Sequence, residues 1–258
     1  MDVRVVTFNA AAGNPRIKTR QADFLQLPFY REALESAEGA PLLALQEVGD
    51  EQAAALRRTA AAATGRVLQK RRPKLGNALV IPDRYEVVAH ASGYYVVPQL
   101  RGILDGLRRR RPDWRQFGEL RMWIEARLRD RLAGRELTFL TTHISANGSL
   151  KVPQTRAIVK RALAAAARGP VILAGDFNVP VHNPRGRDVE AAAVLKQLRD
   201  VGTAALPPGR ENIDYVLTAG FEPVSSRLWI GDSLALPGSP NAETVSDHYA
   251  EDDVVRYS

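Results

Sequence analysis

The chain has no cysteine. That removes disulfides, thiolate metal sites and a cysteine nucleophile together. Histidine is scarce, at four in 258 residues, and with no thiolate beside it this argues against a zinc or copper centre. No apolar run approaches the roughly 20 residues of a membrane span. The chain opens Met1-Asp2-Val3-Arg4 and enters a strand at once. With no basic-then-apolar leader ahead of that strand, a cytoplasmic protein is expected. No linker, internal repeat or low-complexity tail is visible. Residues 1–258 are therefore expected to form a single domain, and a monomer.

What is present is an ordinary apolar fraction, 45%, and a net charge of +7. The charge is concentrated. Between Arg101 and Arg131 ten Arg stand against five acidic residues. A local excess of one sign speaks of partners, and phosphate is the first to consider.

The stretch that organises the rest is Val171-Ile172-Leu173-Ala174-Gly175-Asp176-Phe177-Asn178. A short β-branched run ends in a carboxylate and, two residues on, an amide. In an extended chain residues two apart share a side, so Asp176 and Asn178 are expected to face one spot at a strand end. Further strands are predicted near 3–8, 41–45, 66–70, 77–81, 85–90, 94–97, 120–129, 136–143, 213–217, 221–228 and 251–255. Helices are predicted within 20–37, where Pro28 interrupts, and over 50–64, 153–168 and 188–198. Residues 101–118 look less regular. Hairpins mixed with βα crossovers imply two packed mixed sheets with helices outside.

Several apolar runs stop at a polar group: Asn9, Glu47, His143, Asp176 with Asn178, and Ser246-Asp247-His248. Asp214 sits inside the run Ile213-Asp214-Tyr215-Val216-Leu217. Singly each has an ordinary reading, as a turn former, a helix-start carboxylate or a structural histidine. Together, Thr7-Phe8-Asn9, Leu45-Gln46-Glu47, Thr141-Thr142-His143, Gly175-Asp176-Phe177-Asn178, Ile213-Asp214-Tyr215 and Ser246-Asp247-His248 follow a known order. The chain resembles the endonuclease/exonuclease/phosphatase superfamily over residues 3–255. The resemblance implies an α/β fold, the four-layer α/β/β/α sandwich of deoxyribonuclease I. It departs at Ala250, where many members have Pro, and at 98–118, which matches nothing in the family.

The resemblance implies metal-dependent phosphoester hydrolysis. Glu47 would hold Mg²⁺ or Mn²⁺, with Asn9 and Asp247 completing the site directly or through water. His248 would act as general base, with Asp214 fixing its tautomer. Asp176 and Asn178 would orient the water and the phosphoryl group, and His143 would donate to a phosphate oxygen. Asp176 and His248 both suit the residue type that takes the proton. The surviving acids argue against a binding-only module.

If 120–129 and 136–143 form a hairpin turning near Ala133, His143 lies across from about Ile124. The chain ahead of Arg121 then emerges at the same end. Arg108, Arg109, Arg110 and Arg111 would sit beside the site and gather phosphate, and Trp114 could stack on a base. This favours a nucleic acid substrate, DNA or RNA. A phospholipid or inositol-phosphate substrate of the sphingomyelinase type is the alternative, since the Arg run would also suit an anionic headgroup.

Overall fold

The computed structural model describes residues 1–10, 27–34, 39–62, 66–71, 75–108, 120–186, 188–202, 212–229 and 248–258. The strands are β1 (Asp2–Asn9), β2 (Leu42–Val48), β3 (Arg66–Arg71), β4 (Gly76–Ile81), β5 (Tyr85–Tyr94), β6 (Met122–Asp130), β7 (Arg135–His143), β8 (Val171–Asp176), β9 (Arg199–Asp200), β10 (Asp214–Ala219), β11 (Phe221–Trp229) and β12 (Ala250–Tyr257). The helices are α1 (Pro28–Leu34), α2 (Asp50–Ala62), α3 (Val96–Arg108), α4 (Gly148–Ala166) and α5 (Asp188–Leu195).

Two six-stranded mixed sheets result, in the orders β11-β12-β1-β2-β4-β3 and β5-β6-β7-β8-β10-β9. Strand alternation builds three apolar layers. On β1, Val3 and Val5 point between the sheets with Leu42, Phe139, Ile172 and Val216. Val6 and Phe8 point outward, onto Phe29, Tyr30 and Leu56 of α1 and α2. On the far side Leu140, Leu173 and Leu217 meet α4 and α5. This is the four-layer sandwich that the strand pattern and the resemblance imply. Among the described residues no helix is long and apolar enough to cross a membrane.

Several elements differ from the sequence reading. Residues 96–108 form a helix where a strand at 94–97 and an irregular stretch were expected. Helix α4 begins at the Asn147 N-cap, whose side chain accepts from the Ser149 amide, so Pro153 lies inside the helix rather than in its first turn. Strand β9 is two residues long and gave no run to detect. The hairpin is displaced by two residues from the expected pairing of His143 with Ile124. Trp123 faces Thr142 and Ile124 faces Thr141, because the turn takes four residues, 131–134. Asp130 organises that turn by accepting from the amides of Leu132 and Ala133 at 3.0 and 3.2 Å.

Candidate active site

The inward positions of the central strands are apolar until the last one or two. On β8 the series is Ile172, Ala174, Asp176; on β7 it is Leu137, Phe139, Thr141, His143; on β1 it is Val3, Val5, Thr7, Asn9. Register then sets these ends side by side. His143 pairs with Asp176 across the parallel β7–β8 seam, and Asp214 pairs with Asp176 across β8–β10. Gly175 lets that seam close, since a Cβ there would meet the Thr142 carbonyl at 2.2 Å. The opposite sheet contributes Asn9, whose Nδ2 donates to Asp176 Oδ2 at 2.9 Å. One layer below, buried Gln46 donates to Thr141 Oγ1 at 3.0 Å and ties the two sheets together.

Asp176 is 1% exposed. Its other oxygen accepts from the Asn178 amide at 2.9 Å, and His143 Nε2 lies 3.3 Å from Oδ2. Burial, and then the neighbouring Asp214 carboxylate, push Asp176 up to about 7 against the pull of His248, Asn9 and the Asn178 amide. Asn178 does join Asp176, but not by strand alternation. It lies beyond the strand with φ +51°, turned back by its amide bond to Asp176. Its Nδ2 donates to the Ile144 carbonyl at 2.9 Å.

The two imidazoles are held in opposite tautomers. His248 Nδ1 stands 2.8 Å from Asp214 Oδ2, and an ionised carboxylate can only accept. The proton is therefore on Nδ1, and the Nε2 lone pair lies 3.5 Å from Asn9 Nδ2, which can donate to it, and 3.9 Å from Asp176 Oδ2. His143 Nδ1 stands 2.8 Å from Arg121 Nη1, and a guanidinium can only donate. Nδ1 must accept, which leaves the proton of His143 on Nε2, facing Asp176.

Parity would turn Glu47 outward, since Gln46 points in. A left-handed backbone, φ +51°, and a register shift of β2 against β4 between Leu45 and Val48 turn it to the site instead. Its Oε1 lies 3.9 Å from both His143 Nδ1 and Arg121 Nη1. Glu47, Arg121 and His143 share a small pocket with Asn77. Conformations of this kind cost on the order of 1 kcal/mol and gather at functional sites.

Asn9, Glu47, His143, Asp176, Asn178, Asp214 and His248 thus gather at one rim. Asp247, Arg109, Arg110, Arg111 and Trp114 lie outside the described residues. Arg108 is exposed at the end of α3, about 18 Å of helix beyond Val96. Arg121 is the site residue that sequence reasoning missed. Nothing in an Arg-rich run marked it out, and its signal was the hairpin register that sets it beside His143.

The donor set fits a divalent cation. Glu47 offers a carboxylate that is 22% exposed at the pocket, and oxygen donors suit hard cations. Asp176, Asp214 and His248 also bring one ligand atom each within 4.8 Å of one another. In that trio Asp214 Oδ2 is already bonded to His248, so its spacing is also that of an acid–imidazole pair beside a second carboxylate. Behind the rim, β12 turns Glu251 and Asp253 inward, both buried. Burial pushes both carboxyls up, Asp253 to about 7.

The profile of the Endonuclease/Exonuclease/phosphatase family matches residues 6–248. No curated protein sequence matches the chain. Among solved structures, an endonuclease/exonuclease/phosphatase from Bacteroides vulgatus superimposes with a TM-score of 0.73 at 17% identity, covering 100% of each chain. D. rerio TDP2 complexed with a single-strand DNA product gives 0.71 at 15% identity, covering 99% of each. The human Nocturnin catalytic domain with bound sulfate anion gives 0.69 at 17%, covering 100% of this chain and 95% of that one. At these identities the likeness carries the fold alone.

Proposed function

The chain belongs to the endonuclease/exonuclease/phosphatase family of metal-dependent phosphoesterases, and on that premise we propose that it hydrolyses phosphodiester bonds in nucleic acid with water activated by His248. The carrying observation is the pair of opposed imidazoles. His248 offers a lone pair at Nε2, and His143 offers a proton at Nε2, with Asp176 between them.

Hydrolysis needs an in-line water, neutralised phosphate charge and a stabilised leaving oxygen. His248 Nε2 takes a proton from the attacking water, and Asp214 stabilises the imidazolium that forms. Asp176, whose oxygens already accept from Asn9 and Asn178, fits better as the group that orients the water than as the base. His143 donates from Nε2 to a non-bridging oxygen, and Asn178 positions the phosphoryl group. Glu47, with Asn9 and Asp247, would hold Mg²⁺ or Mn²⁺. Such a cation, when bound, neutralises phosphate charge that the side chains alone leave uncompensated.

Nucleic acid is favoured by the net charge of +7 and by the single-strand DNA product with which the D. rerio relative is complexed. The test is a side-by-side incubation with Mg²⁺ of single-stranded DNA, plasmid, RNA, sphingomyelin and inositol phosphates. Turnover of a polynucleotide is expected. Turnover confined to the lipid or inositol substrates would overturn the nucleic acid reading while leaving the chemistry intact.

A further inference from the structure

Helix α3 is amphipathic in an inverted sense. Val96, Val97, Leu100, Leu104 and Leu107 are 48–59% exposed. At about 100° per residue these five fall within one arc of roughly 100°. The opposite arc carries Pro98, Gly102 and Gly106, and Pro98 meets Pro153 and Ala157 of α4 across a narrow cleft. The helix thus lies against α4 at Pro98 and shows Val96, Val97, Leu100, Leu104 and Leu107 to solvent. A contiguous exposed stripe of this kind marks an interaction surface.

Charge says which surface it meets. Arg108 closes the helix, exposed, and Arg109, Arg110 and Arg111 follow it in the chain. Lys160 of α4 lines the same cleft as Val97 and Pro98, beside Arg156, which is paired with Glu190. A nucleic acid would use the cations but leave the leucines in water. A second copy would cover the leucines but bring no anionic surface to Arg108 and Lys160. An anionic bilayer takes both, aliphatic side chains below the headgroups and cations among the phosphates.

We propose that α3 is an interfacial anchor that docks the protein on anionic lipid. The position of the helix makes this consequential. It starts one residue after Tyr95, whose amide donates to the Arg121 carbonyl at 3.1 Å, and Arg121 contacts His143. Docking through α3 would set the catalytic rim next to the membrane surface. This holds whichever phosphodiester the site cleaves.

The test is cosedimentation of the full chain, in chelator so that no turnover occurs, with phosphatidylcholine vesicles lacking or containing about 30% phosphatidylglycerol. Binding is expected to be at least about tenfold tighter on the anionic vesicles and to weaken in high salt. Leu100→Glu/Leu104→Glu should lose it by about tenfold or more, with an unchanged circular dichroism spectrum and unchanged hydrolysis of bis-(p-nitrophenyl) phosphate. Lys160→Glu should weaken anionic binding and flatten its salt dependence. Absence of vesicle binding would overturn the proposal. So would unchanged binding by the double Leu variant, or loss in that variant of a dimer or of single-stranded DNA binding instead.

Discussion

Arg121 donates to His143 Nδ1 at 2.8 Å, and so decides where the proton of that imidazole sits. With Arg121→Ala, His143 is free to protonate at either nitrogen, and kcat on a small phosphodiester is expected to fall roughly tenfold or more. Arg121→Lys should restore part of the rate. Imidazole ¹⁵N spectra of His143 give a reading separate from activity. The Nε2–H form should dominate in the wild type and lose that dominance in Arg121→Ala. An unchanged spectrum or unchanged rate would remove Arg121 from this role.

Asp214 plays the corresponding part for His248. Asp214→Asn can present an N–H to Nδ1 and invert the tautomer, taking the lone pair away from Nε2. A loss in kcat of roughly 10²–10⁴ is expected. It should not add to the loss from His248→Ala, because the two act as a unit. Full rate in Asp214→Asn, or additive losses in the double variant, would dissolve the pair.

Glu47 separates strain from function. Its φ of +51° suits glycine. Glu47→Gly is therefore expected to be more stable than Glu47→Ala by about 1 kcal/mol, measured by denaturant unfolding. Both variants should lose metal-dependent turnover, together with the thermal stabilisation by Mg²⁺ that is expected of the wild type. Undiminished turnover in either would place the cation elsewhere.

Asp253 should make stability fall with pH. Its folded-state pKa is raised to about 7 by burial, so the fold favours the neutral form. Its contribution is fully present below the ordinary carboxylate range and is lost as pH rises through about 7. Asp253→Asn is expected to stabilise the protein at about pH 8 by on the order of 2 kcal/mol, with little change near pH 4. Melting temperatures of the two proteins at both pH values check this. Equal melting temperatures at the higher pH would mean that the buried carboxyl ionises freely.

Much of this was legible in the sequence, for a physical reason. A central strand buried on both faces is apolar until it leaves the core, so a polar residue at its end announces itself; Asn9, His143 and Asp176 were found that way. Alternation also gives direction, which sufficed for these three. It failed for Glu47 and Asn178, where left-handed backbones override parity, although the residues themselves were found. Arg121 was hidden among ten arginines, and only the register of the β6–β7 hairpin singles it out. Helix α3 was misread because Tyr94-Tyr95-Val96-Val97 has strand composition. Val96, Val97, Leu100, Leu104 and Leu107 are exposed to solvent, the reverse of the pattern that usually reveals a helix.

The most direct measurement is the Mg²⁺-dependent cleavage of a single-stranded oligonucleotide by the wild type and by His248→Ala. The wild type should cleave it, lose all activity in chelator, and exceed the variant by roughly a hundredfold or more. Cleavage by His248→Ala at the wild-type rate, or no metal-dependent phosphodiester cleavage by the wild type on any substrate, would contradict a hydrolytic site at this rim.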